Sequence, residues 1–140
     1  MKTLEIQKLH PEAKVPSNAY AHDAGLDLSS AETYTLKPGE GKIFKTGIAI
    51  ALDPGFVGLV WDRSSMGKKG IKTLGGVIDS GYRGEIGVIL WNISPEPRMI
   101  NFGDRIAQML IQAVVTPQIK EVAKLSDTDR GAGGFGSSGV

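Results

Sequence analysis

The stretch Thr46-Gly47-Ile48-Ala49-Ile50-Ala51-Leu52-Asp53-Pro54-Gly55-Phe56-Val57-Gly58-Leu59-Val60-Trp61 decides the fold class. Two apolar runs of strand length flank Asp53-Pro54-Gly55. Proline presets φ for a turn and glycine accepts the φ that closes it, so the stretch predicts a β-hairpin. Working outward, Lys37-Pro38-Gly39-Glu40 is a second turn of this kind. Ile86–Ile93, Ile106–Ile111 (extending toward Thr116), Ile71–Ile78 and Leu4–Ile6 supply further strands. Helical periodicity is weak throughout, and the one helix expected is a short turn at Ser64–Lys69. Short strands punctuated by Gly and Pro at intervals of roughly 8–12 residues predict an all-β sandwich or barrel.

The chain has 140 residues, the size of one domain. Lys plus Arg number 16 and Asp plus Glu 15, a net charge of +1. That balance lacks the basic face that duplex nucleic acid or an anionic membrane selects, so neither is expected as a partner. The absence of cysteine excludes disulfides, thiolate metal sites and cysteine nucleophiles. His10 and His22 are the only histidines, and both read as surface residues. No run reaches the ~20 apolar residues of a membrane span. The charged N-terminal residues lack the apolar core of a signal peptide, which predicts a cytoplasmic protein. The packed domain is expected over residues 1–125, followed by an arm over 126–140. Five of the 19 glycines lie in the last ten residues.

Four places could carry chemistry. In the arm, Arg130 precedes a run of glycines, Phe135, Ser137 and Ser138. Glycine lets backbone N–H groups approach an anion, serine adds donors, arginine matches phosphate, and phenylalanine can stack on a base. That is a polyphosphate-nucleotide clamp; the same composition also describes a plain linker. In Arg63-Ser64-Ser65-Met66-Gly67 a strand ends and a short helix opens, which is either a phosphate site or an ordinary capped turn. In Gly76-Val77-Ile78-Asp79-Ser80-Gly81-Tyr82-Arg83-Gly84 the Asp79 carboxylate stands at a strand end beside the flat face of Tyr82. It suits a general base, or simply a β-turn. Asp27 is a second candidate carboxylate. Gly103-Asp104-Arg105 reads as a turn with a surface ion pair, and Gln108 is an amide inside an apolar strand that needs partners.

In order along the chain, these segments resemble the five motifs of the trimeric dUTP diphosphatase (dUTPase) family: Ala24-Gly25-Leu26-Asp27-Leu28, Arg63 to Gly67, Gly76 to Gly84, Gly103 to Gln108, and Arg130 to Gly139. The resemblance implies a jelly-roll-like antiparallel β subunit with one short helix, and a homotrimer whose sites are built from all three subunits. It implies hydrolysis of dUTP to dUMP and pyrophosphate with Mg2+, which limits uracil in DNA and supplies dUMP. By the same resemblance Asp79 is the base that activates water, and Asp27 holds a magnesium-bound water. Arg63, Ser64, Ser65 and the N–H of Gly67 serve the phosphates, and Gln108 holds a phosphate or an ordered water. Thr73, Gly76, Val77 and Ile78 read uracil, and Tyr82 packs on deoxyribose. Arg130, Gly136, Ser137 and Ser138 close on the outer phosphates while Phe135 stacks on the base.

The chain departs from the family at Asp62, where proline is frequent, at Ser65, where glycine is common, and at Thr73, where some relatives have asparagine. Its 63–71 segment is about one residue short. The related dCTP deaminases need a glutamate where Ile89 stands and an arginine where Lys68 stands, so deamination is not expected. A non-catalytic dUTP-binding sensor on the same fold is the other reading; Asp27, Asp79 and the complete arm favour the enzyme.

Overall fold

The computed structural model describes residues 3–134. Its elements are eleven strands and one helix: β1 (Glu5–Lys8), β2 (Leu26–Ser29), β3 (Tyr34–Leu36), β4 (Gly41–Lys45), β5 (Ile48–Ala51), β6 (Phe56–Trp61), α1 (Ser64–Lys68), β7 (Ile71–Leu74), β8 (Val77–Ile78), β9 (Gly87–Asn92), β10 (Arg98–Ile100) and β11 (Arg105–Ala113). Every strand pairing is antiparallel. A four-stranded sheet runs β2-β11-β6-β8, a three-stranded sheet β4-β9-β7, and the pairs β1-β5 and β10-β3 complete a jelly-roll-like subunit.

Strand β9 shows how sequence makes sheet. Val88, Leu90 and Asn92 point inward while Ile89 and Trp91 face out, the period of two that a half-buried strand requires. Phe44, Leu28, Leu36, Ile48, Ile86, Ile106 and Met109 fill the core between the sheets. Asn92 is fully buried and satisfied: its amide donates to the carbonyls of Leu36 (3.1 Å) and Glu96 (2.8 Å), and its oxygen accepts from Ser94. Among the described residues no buried side-chain polar atom lacks a partner, as a native core requires.

Two expectations are corrected. The Asp53-Pro54-Gly55 turn forms, with the Phe56 N–H donating to the Asp53 carbonyl at 3.2 Å, but it does not close a hairpin. Strand β5 pairs with β1, while β6 pairs with β11 over six residues, Gln108↔Trp61 to Ala113↔Phe56. The turn passes the chain from one sheet to the other, because the longer ladder available to β6 lies with β11. Likewise Ile71–Ile78 is two strands, not one. The glycines Gly75 (φ +66°) and Gly76 (φ +110°) break it, sending β7 to β9 and β8 to β6. Strands β2, β3, β4 and β10 leave little signal in the apolar runs; they are short or carry polar residues at alternate positions.

Strand pairing ends at Ala113, and the Val114 N–H still donates to the Gly55 carbonyl at 2.9 Å. Beyond it Val115, Ile119 and Leu125 are exposed in the single chain.

Candidate functional site

Strand β6 carries the backbone into the site. It ends at Trp61, and Asp62 and Arg63 lead directly into α1. The N-cap is Arg63 rather than a serine, and no side chain caps the helix. Buried Met66 anchors the turn from below, leaving Ser64, Ser65 and Gly67 exposed. The Gly67 N–H, expected to face phosphate, donates instead to the Arg63 carbonyl at 3.0 Å. The N–H groups of Ser64 and Ser65 are the ones a first helical turn leaves without helix partners.

The Arg63 guanidinium is fixed by three bonds. Its Nε donates to Asp27 Oδ1 at 2.8 Å, and its Nη1 donates to Ser65 Oγ at 3.2 Å and to the Arg105 carbonyl at 3.3 Å. Arg105 in turn donates to Asp27 Oδ2 at 3.0 Å. The Asp27 side chain is only 13% exposed. Two guanidiniums therefore share one carboxylate and leave local positive charge, with Lys68 and Lys69 exposed beside them. Such preorganised arginine suits phosphate. The surface ion pair expected between Asp104 and Arg105 does not form: Asp104 accepts from the Asn101 N–H at 2.8 Å, closing a turn. Gln108 Nε2 donates to the Asp62 carbonyl at 2.8 Å. Its amide lies against Gly25, where an added Cβ would meet Oε1 at 2.3 Å. Gly25, Asp27, Arg63, Ser64 and Gln108 line one cavity of about 330 Å³.

The hairpin residues lie elsewhere. The Gly76 carbonyl accepts from the Val60 N–H at 2.8 Å, and β8 pairs with Gly58 and Leu59. Trp61, Asp62, Lys72, Thr73, Gly76 and Val77 line a cavity of about 260 Å³. Val77, Ile78, Asp79, Tyr82 and Glu85 line another of about 170 Å³. Asp79 is exposed, and its carbonyl accepts from the Tyr82 N–H at 3.0 Å; the Tyr82 hydroxyl donates to the Glu85 carbonyl at 2.9 Å. The fold thus brings Asp79 and Tyr82 together, and separately Asp27, Arg63, Ser64 and Gln108. It does not bring the two sets into one cavity of one chain. Arg130 is exposed, with Nε donating to the Gly133 carbonyl at 2.9 Å. Phe135, Gly136, Ser137 and Ser138 lie outside the described residues.

The sequence marks Asp62 only as a departure from the motif. Its carboxylate accepts from the Thr73 N–H at 2.6 Å and pairs with Lys72. Burial pushes its carboxyl up, but the bonds from Lys72 and Thr73 outweigh this and hold it below its ordinary value. The sequence signal was a charged residue at a strand end; its partners, ten and eleven positions on, could not be read.

No group of three or more His, Asp or Glu side chains converges to cage a metal among the described residues. Asp27 lines the phosphate-type cavity together with Asp23, and carries one bond from arginine on each oxygen. Each carboxylate oxygen can accept a second bond, from a water. That fits Mg2+, which keeps its waters and takes most other ligands from substrate phosphates. No helix among the described residues is long and apolar enough to cross a membrane.

Cationic turn, carboxylate-bearing hairpin and jelly-roll frame define an all-β protein equipped for phosphate chemistry. The dUTPase family model matches residues 11–139, and the chain belongs to the dUTPase family. The deoxyuridine 5'-triphosphate nucleotidohydrolase of Rhodococcus erythropolis is 45% identical, with 98% of this chain and 86% of that one aligned. The structure of the Staphylococcus bacteriophage 80alpha dUTPase with dUpNHpp superposes with a TM-score of 0.91 at 32% identity, covering 100% of both chains. The phage phi11 dUTPase of S. aureus, a structure describing coordination of a structural Mg(II) ion, gives a TM-score of 0.82 at 30% identity, covering 89% of this chain and 99% of that one.

Proposed function

We propose that the protein hydrolyses dUTP to dUMP and pyrophosphate. The relatives that share its fold and motifs carry that activity in their names, and the 80alpha enzyme binds dUpNHpp, an imido analogue of dUTP. One observation carries the reading to this chain's own residues: Asp27 and Arg63, fixed with the help of Arg105, open on one cavity while Asp79 and Tyr82 open on another. Each is half of a site, which supports a homotrimer in which the halves come from different copies. The exposed apolar residues Val115, Ile119 and Leu125, unsatisfied in one chain, favour the same assembly.

Arg63, Ser64, Ser65 and Gln108 bind the triphosphate. The hairpin from Thr73 through Gly76, Val77 and Ile78 reads uracil by its backbone, and Tyr82 packs on the deoxyribose and excludes a ribose 2'-hydroxyl. Asp79 accepts the proton of a water that attacks the α-phosphorus in line. The bond from that phosphorus to the bridging oxygen breaks and pyrophosphate leaves. Charge placed in advance at Arg63 and Arg105 costs no reorganisation during the reaction. Asp27 would hold a water of a bound Mg2+, which would supply charge neutralisation at the phosphate oxygens. The arm beyond residue 126, with Arg130, Phe135, Gly136, Ser137 and Ser138, closes over the nucleotide. The substrate belongs to the cytoplasmic deoxynucleotide pool, and the protein acts there.

Pyrophosphate release from dUTP, UTP, dTTP and dCTP with magnesium, with products resolved by chromatography, tests this. Release with dUMP from dUTP alone is expected. Deaminated product from dCTP, or tight dUTP binding without turnover, would contradict it; the second result would leave a sensor.

A further inference from the structure

We propose that Asp62 is a specificity-determining positioning residue: its carboxylate sets the width of the cavity in which the hairpin reads the base. The inference rests on the base-reading role given to the 73–78 hairpin above.

The two limbs of that hairpin are held differently. Limb β8 is pinned to β6 by backbone pairing, Gly58↔Ile78 and Leu59↔Val77, and by the Val60 N–H to the Gly76 carbonyl. Limb β7 belongs to the other sheet, where it is the edge strand beyond β9. An edge strand presents N–H groups with no ladder partner. The Thr73 N–H is accepted by Asp62 Oδ1 at 2.6 Å, and neighbouring Lys72 pairs with the same carboxylate. Asp62 extends from the end of β6, so one side chain bridges the two sheets at the mouth of the 260 Å³ cavity that Trp61, Lys72, Thr73, Gly76 and Val77 also line. Its main-chain carbonyl, meanwhile, accepts from Gln108 in the phosphate cavity. Removing the side chain therefore loosens only the β7 wall. Gln108 keeps its acceptor, and Asp79 stays on the limb that β6 holds.

That separation makes the role measurable. KM and kcat for dUTP and dTTP are compared in wild type, Asp62→Ala and Asp62→Asn, with hydrogen exchange at the Thr73 amide followed in the nucleotide-free protein. A loosened wall weakens uracil binding and admits the thymine methyl. Asp62→Ala is expected to raise KM for dUTP about tenfold with kcat within about threefold, the size of effect that loss of one hydrogen bond to a charged group produces. The preference in kcat/KM for dUTP over dTTP falls by a similar factor, and the Thr73 amide exchanges faster. Asp62→Asn, which keeps an oxygen acceptor for Thr73 but loses the charge, lies between. Unchanged KM and unchanged preference would overturn the proposal, as would a fall in kcat equal for both nucleotides. If the alanine variant does not fold, the asparagine variant and the wild-type Thr73 amide decide; an unprotected amide overturns it. If the wild type turns over no dUTP, the function proposed above fails, while the exchange difference still decides whether Asp62 closes the cavity.

Discussion

The carbonyl of Gly76 accepts the Val60 N–H at 2.8 Å, and a Cβ placed on Gly76 would lie 2.5 Å from Val60 Cβ. Only glycine tolerates both that approach and a φ of +110°. The relationship fixes the hairpin that leads to Asp79 against the strand that leads to Arg63.

Gly76→Ala is therefore expected to cost about 3 kcal/mol of stability and most of the dUTP affinity. Gly75→Ala, at φ +66° with only Ile89 Cδ1 nearby at 3.8 Å, is expected to cost about 1 kcal/mol. Urea denaturation of both variants checks this; equal losses would contradict the packing argument.

Asp79→Asn keeps the shape of the turn and removes the proton acceptor. Isothermal titration with dUpNHpp is expected to give affinity within about threefold of wild type, while kcat falls by about 10²–10⁴. A kcat near wild type would exclude Asp79 as the base.

Truncation after Asp129 removes Arg130 and the glycine-serine segment but no strand of the described residues. The shortened protein is expected to keep its melting temperature within about 3 °C, since surface changes away from packed features shift stability little. It should hydrolyse dUTP poorly, and full activity in a steady-state assay would remove the arm from the site.

Acid destabilises the protein in part through Asp62. Its folded carboxyl sits below the ordinary value because the bonds from Lys72 and Thr73 outweigh burial. A depressed carboxyl stabilises fully above its unfolded value and loses that contribution as pH falls through the folded one. The stability gap between wild type and Asp62→Asn should be complete at about pH 6 and shrink toward about pH 3, near and below the carboxylate range. Melting curves across that range test it, and a gap that widens in acid would reverse the sign.

Much of the architecture could be read in the apolar runs. Strand β6 begins and ends where Phe56 and Trp61 predict, β9 lies within Ile86–Ile93, and α1 opens at Ser64. Partners could not be read, because a jelly roll pairs strands far apart in sequence: Phe44 faces Val88, and Asp27 faces Gln108. The same limit holds at the site. Asp79 and Tyr82 are legible together because one turn contains both. The sharing of Asp27 by Arg63 and Arg105 spans 36 and 78 positions and emerges only when β2, β6 and β11 lie side by side. At Gly67 the limit is local: a helix of five residues uses its N–H, which no motif spacing shows.

In the proposed reaction, water activated by Asp79 attacks the α-phosphorus of dUTP. Turnover in water enriched in oxygen-18, with mass spectrometry of both products, tests it most directly. One labelled oxygen in dUMP and none in pyrophosphate is the predicted result. Label in pyrophosphate would place the attack on the β-phosphorus and contradict the account.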